Sequence, residues 1–147
     1  MLDSDAAKQM LGSLPLVAHL GVEIADVTPR AGSAQLPDRE HLKNHLGTQH
    51  AGALFTVGEA ASGAAVLGAF GEAMGALTPV AKTARIDYKK PARGLITAKA
   101  SLAEPVEDVM ARLDQNGKAV FEVRVALHDA TGLLVAEMQV DWHLRKN

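Results

Sequence analysis

The second half of the chain alternates apolar and polar side chains with period two, and most of the first half does not. Residues 82–89 set Ala84, Ile86 and Tyr88 against Thr83, Arg85 and Asp87. Residues 120–128 set Phe121, Val123, Val125 and Leu127 against Glu122, Arg124 and His128, and residues 134–144 set Leu134, Ala136, Met138, Val140, Trp142 and Leu144 against Val135, Glu137, Gln139, Asp141 and His143. Alternation puts one set of side chains on each face of a sheet, so these segments predict strands with one face to bury. Another strand over 95–102 follows a turn at 91–94, and a turn at 129–132 separates the last two. Two shorter β-like segments, 20–28 and 31–36, flank Pro29 and Arg30 at hairpin spacing. Residues 106–113 fit either a helical turn or an extension of the preceding strand, and pattern alone leaves both open.

Residues 51–71, AGALFTVGEAASGAAVLGAFG, are different in kind: 21 residues with Glu59 as the one charged side chain. They predict a helix apolar on all sides, one that packs on a sheet and is covered elsewhere too, by sheet curvature, the N-terminal segment or a second subunit. Its glycines would each cost about 1 kcal/mol in an isolated helix, so burial has to hold it together, and small residues admit close approach of another backbone. Length alone would let it cross a membrane. The central glutamate, the glycines and alanines, and a content of six Leu, Val and Phe residues argue against that. Residues 3–13 predict a short helix opened by Asp3 or Ser4 and ended near Gly12, with Pro15 beyond. The expected architecture is one α+β domain over 1–147, two strands, the long helix, then four strands.

Composition narrows the function classes. Fifteen basic and 17 acidic residues give a formal charge of −2, which argues against general nucleic-acid binding. The absence of cysteine removes disulfides, thiolate metal sites and a cysteine nucleophile. The first residues, MLDSDAAKQML, lack an apolar signal core, so a cytoplasmic location is expected.

Glu59 is the residue to explain, because a carboxylate in so apolar a helix loses water and pairs or does chemistry in return. A blander role is a hydrogen bond within the helix, to Ser62 or Thr56. The element order and the segment NHLGTQHAGALFTVGEAASG (44–63) resemble the hotdog-fold acyl-CoA thioesterases, particularly the phenylacetate-pathway type and its uncharacterised relatives. Their pattern is roughly N-x-x-G-x-x-H-G-G with an acidic residue about eight positions on. Asn44, Gly47, His50 and Gly52 match it, Glu59 stands at the acidic position, and Ala51 replaces the first glycine after the histidine. The resemblance extends to IDYKKPARG (86–94) and implies a curved antiparallel sheet wrapped around one long central helix, with thioester-hydrolysing sites at subunit interfaces.

The residues make chemical sense on their own. A helix start offers unpaired N–H groups, so the amides of Ala51 and Gly52 can meet a thioester carbonyl, and Glu59 can act as general base or nucleophile. Eight residues of helix separate Ala51 from Glu59, roughly 12 Å, too far for both to act on one carbon. Two copies with adjacent helices would bring them together, which predicts a homodimer or homotetramer. Asn44 and His50 join the catalytic set, with capping or loop bracing as the plainer role. Gly47 and Ser62 are assigned to substrate binding, Gly47 chiefly through its backbone, as are Lys89, Lys90 and Arg93, a basic knot suited to the phosphates of coenzyme A. No cofactor beyond the coenzyme A of the substrate, no metal and no membrane or nucleic-acid partner is expected. His41, His45, His50 and Glu59 are spaced loosely for a metal but lack HExxH. No G-x-S-x-G supports a serine hydrolase, and Asp38 to His41 does not reproduce the D-x-N-P-x-H of hotdog hydratases. The rival from another class is a noncatalytic hotdog protein that binds acyl-CoA or another small ligand.

Overall fold

The computed structural model describes residues 2–147. Helices α1 (Ser4–Gly12) and α2 (Pro15–Leu20) precede strands β1 (Glu23–Val27) and β2 (Gly32–Leu36); after a loop come α3 (Ala51–Phe70), β3 (Leu77–Tyr88), β4 (Ile96–Leu102), α4 (Val106–Asn116), β5 (Lys118–His128) and β6 (Leu134–Lys146). The six strands form one antiparallel sheet in the order β1-β2-β4-β5-β6-β3, and α3 lies on its inner face as the hotdog arrangement requires.

Two boundaries move by several residues, and one open choice is settled. Pro15 does not merely follow the first helix but opens α2 at its first turn, where a missing N–H costs nothing, so β1 begins at Glu23 and not at Leu20. Strand β3 begins at Leu77, five residues before the alternation was legible, and Pro79 is tolerated because β3 is an edge strand. Residues 106–116 are a helix whose Val109 and Leu113 are buried one turn apart, which settles the choice left open.

Small residues let α3 sit backbone to backbone on one end of the sheet. A Cβ at Gly32 of β2 would stand 2.2 Å from the Ala65 nitrogen, and one at Gly68 would stand 2.1 Å from the Thr28 oxygen. The core follows this placement, with Ala34, Leu36, Ile96 and Ala98 of β2 and β4 entirely buried against Val57, Ala61 and Ala65. The far end of the sheet has no such cover. Pairing with β6 puts Ala81, Ala84, Ile86 and Tyr88 in the same inner rows as Trp142, Val140, Met138 and Ala136, yet none of the four is buried while all four partners are. Along α3 itself, Gly52, Phe55, Thr56, Glu59 and Gly63, at spacings of mostly three and four, form a stripe that the chain covers only in part.

Candidate active site

The loop before α3 folds on its own side chains. Asn44 Oδ1 accepts from the Leu46 and Thr48 N–H groups at 2.9 and 3.0 Å, and its Nδ2 donates to Thr48 Oγ1 at 2.8 Å. Gly47 has φ 73, a left-handed conformation that glycine adopts without strain. Asn44 and Gly47 thus shape the turn that delivers the chain to the helix.

His50 is the N-cap of α3, with its Nδ1 accepting from the Gly52 N–H at 2.8 Å. That requires an unprotonated Nδ1 and uses one of the two amides expected to meet a substrate carbonyl. Ala51 is exposed, and its N–H is among those that α-helical pairing leaves without an i−4 carbonyl. The alanine that stands where the resembling pattern has glycine is therefore the residue whose donor stays available.

Glu59 lies half-buried in this partly covered stripe, and desolvation raises its pKa above the ordinary carboxylate range. Neither helical neighbour relieves it. Ser62 Oγ donates to the backbone oxygen of Glu59 at 2.7 Å, and Thr56 Oγ1 donates to the Gly52 oxygen at 2.9 Å. Among the described residues the Glu59 carboxylate has no hydrogen-bond or ion-pair partner. Ser62 itself is 0% exposed and accepts from Trp142 Nε1 at 3.1 Å. The expectation that Ser62 binds substrate is corrected: its hydroxyl pins α3 to β6, because a buried hydroxyl is held by whatever donor reaches it.

A pocket of about 320 Å³ lies between the helix start and the basic turn, lined by Asn44, Thr48, Ala51 and Leu54 on one side and Tyr88, Lys89 and Lys90 on the other. Arg93 is exposed and outside its wall. Lys89 also approaches Glu137 at 3.9 Å, an exposed pair of little energetic weight. An open groove of about 560 Å³ on the outer sheet face holds a mixture of charges, with Arg85 paired to Asp87 at 3.3 Å, and contains none of the candidate site residues. Among the described residues no three His, Asp or Glu side chains come together to hold a metal ion. Sequence reasoning passed over Tyr88, whose hydroxyl donates to the Ala51 oxygen at 3.0 Å, and Gln49, which is buried beneath the pocket loop. Tyr88 had a signal, being the chain's single tyrosine directly before the basic turn; Gln49 had none.

The same fold recurs among solved structures. A Pseudomonas aeruginosa protein of unknown function, called a probable thioesterase, is 26% identical, with 99% of this chain and 97% of that one covered at a TM-score of 0.88. A Haemophilus influenzae thioesterase is 17% identical, with 99% and 92% covered at 0.80, and a thioesterase family protein from Silicibacter pomeroyi is 18% identical, with 96% of each covered at 0.77. No curated protein matches the sequence. The structural neighbours are thioesterase-family hotdog proteins, in keeping with the resemblance carried by residues 44–63. The family model described as Domain of unknown function (DUF4442) matches residues 5–144, and the chain belongs to that family.

Proposed function

We propose that the protein hydrolyses acyl-CoA thioesters to the free acid and coenzyme A, at sites each built from two copies of the chain. The observation that carries this reading is Glu59, a half-buried carboxylate with raised pKa and no partner among the described residues, on a helix stripe that its own chain covers only in part. The Ala51 N–H of one copy receives the thioester oxygen, and Glu59 of the second copy either deprotonates water or attacks the carbonyl itself. In either route the acyl C–S bond breaks, a C–O bond from water replaces it, and the thiol leaves with a proton. Lys89 and Lys90 at the pocket, with Arg93 beside them, take the phosphates of coenzyme A, and a homodimer or homotetramer in the cytoplasm is the working form. Release of free thiol from a panel of acyl-CoAs tests the reading. Glu59→Ala is expected to lower kcat about a hundredfold or more, and a folded variant with near-wild-type turnover overturns it.

One observation favours binding without turnover: His50 occupies the Gly52 N–H, which leaves fewer donors for an oxyanion than two free amides would give. Tight acyl-CoA binding with no thiol released by any member of the panel would establish that second reading.

A further inference from the structure

The basic turn and the helix start are separate in sequence, and three hydrogen bonds tie them together. Tyr88 supplies one, to the Ala51 oxygen. Gln49 supplies the other two: its backbone N–H donates to the Ala92 oxygen at 2.8 Å, and its Nε2 donates to the Gly94 oxygen at 2.9 Å. The same Nε2 donates to the Pro37 oxygen at 2.9 Å, so one amide group closes the ring of loops around the pocket. Gln49 is 3% exposed, and its Oε1 is buried with no partner among the described residues. A buried acceptor left unmatched has a cost, and the side chain bears it while its two N–H groups are fully used. The residue is thus held for its donors, and both donors go to loop carbonyls.

We propose that Gln49 is a positioning residue that fixes the spacing between the phosphate-contacting turn and the oxyanion-binding helix start, and so makes the site select for the whole coenzyme A over a shorter thiol. This rests on the function proposed above. A ligand anchored at both ends gains from the second anchor to the extent that the protein holds the two at the matching distance; when one anchor is loose, binding must first order it. Without the Gln49 side chain, the turn keeps Tyr88, the bond from the backbone N–H of residue 49 to the Ala92 oxygen, and the strand-end bonds of the Lys89 and Lys90 amides to the Val135 oxygen, so the fold survives while the Gly94 side of the turn loosens and the spacing relaxes.

Two substrates with the same acyl group test this, one on coenzyme A and one on N-acetylcysteamine, which lacks the phosphates. Gln49→Met keeps the length and removes both side-chain donors; Gln49→Glu keeps the shape and turns acceptors toward the two carbonyls. Each is expected to raise KM for the acyl-CoA about tenfold, with kcat on it and kcat/KM on the short thioester held within about twofold. An unchanged preference for coenzyme A, or an equal loss on both substrates, overturns the proposal. Trypsin cleavage after Arg93, beside the Gly94 tether, gives a readout independent of turnover: relative to cleavage after Arg30 it should quicken about tenfold in both variants. Unchanged cleavage overturns the positioning role even if the protein hydrolyses nothing. Quickened cleavage in a protein with no preference for coenzyme A keeps the tether, removes its part in selection, and places the failure in the assignment of the phosphates.

Discussion

The β2–β4 end of the sheet and the β3 end carry the same alternation of apolar and polar residues, but they are packed differently. At the first end Ala34 and Ala98 are 0% exposed, because α3 approaches closely enough that glycine is required at 32 and 68. At the second end Ala84 shares an inner row with the fully buried Val140 and Val123 and is itself exposed. Alternation states that a strand has a face to bury; it does not state what covers it. One chain covers the first end; in the dimer proposed above, a second copy covers the second end together with the partly exposed stripe of α3.

Substituting a carboxylate for alanine should separate the two ends most sharply. Ala98→Glu places an unpaired charge in the helix-covered core and is expected to cost more than about 4 kcal/mol, enough to abolish a folded product on denaturant titration. Ala84→Glu should leave the unfolding midpoint of a dilute, monomeric chain nearly unchanged and shift sedimentation from dimer toward monomer, with loss of thiol release. Equal effects of the two changes on folding would mean that β3 is not a bare end.

Smaller steps sharpen the same contrast. Gly32→Ala would drive a Cβ into helix backbone that cannot move aside, so a loss of about 3 kcal/mol is expected by urea titration. Gly63→Ala, on the partly exposed stripe with the Trp142 ring 3.9 Å from the new Cβ, should stabilise an isolated chain by up to about 1 kcal/mol through helix propensity.

Glu59 gives the finest test. Burial raises its folded-state pKa, so the folded chain binds a proton more readily than the unfolded one, and the ionised group opposes folding near neutral pH. Glu59→Gln should therefore melt above wild type near neutral pH, with the gap closing as pH falls through the raised folded-state pKa toward the ordinary carboxylate range. Under the proposed mechanism, in which the ionised form acts, the acid limb of kcat/KM should sit above that range. A melting difference independent of pH would place Glu59 in water.

Much of the fold was legible because its signals are local: the strands after residue 82 repeat every second residue, and α3 is marked by an apolar run. What escaped depends on partners far away in sequence. Pro79 reads as a strand breaker until β3 is known to be an edge, and Ser62 reads as a site residue until Trp142, eighty positions on, is seen to hold it. Glu59 and the helix start were visible from residue type and spacing. The division of labour at that start was not, because the His50 to Gly52 bond depends on a rotamer, and Gln49 has meaning only once residues 37 and 94 lie beside it.

Mixing subunits tests the shared site most directly. Ala51→Pro removes the one N–H in question and suits the first helical position, and His50 before it already has the extended backbone, φ −66 and ψ 141, that a following proline requires. Alone, it should lose about a hundredfold or more in kcat, as is expected of Glu59→Ala. Once each variant is shown to fold and to exchange subunits with the other, a heterodimer of the two carries one site with both defects and one with neither. Two nearly inactive proteins should then recover thiol release on mixing, up to one intact site per heterodimer. Confirmed heterodimers with no recovered turnover would contradict a site built from two chains and would place Ala51 and Glu59 in action from the same helix.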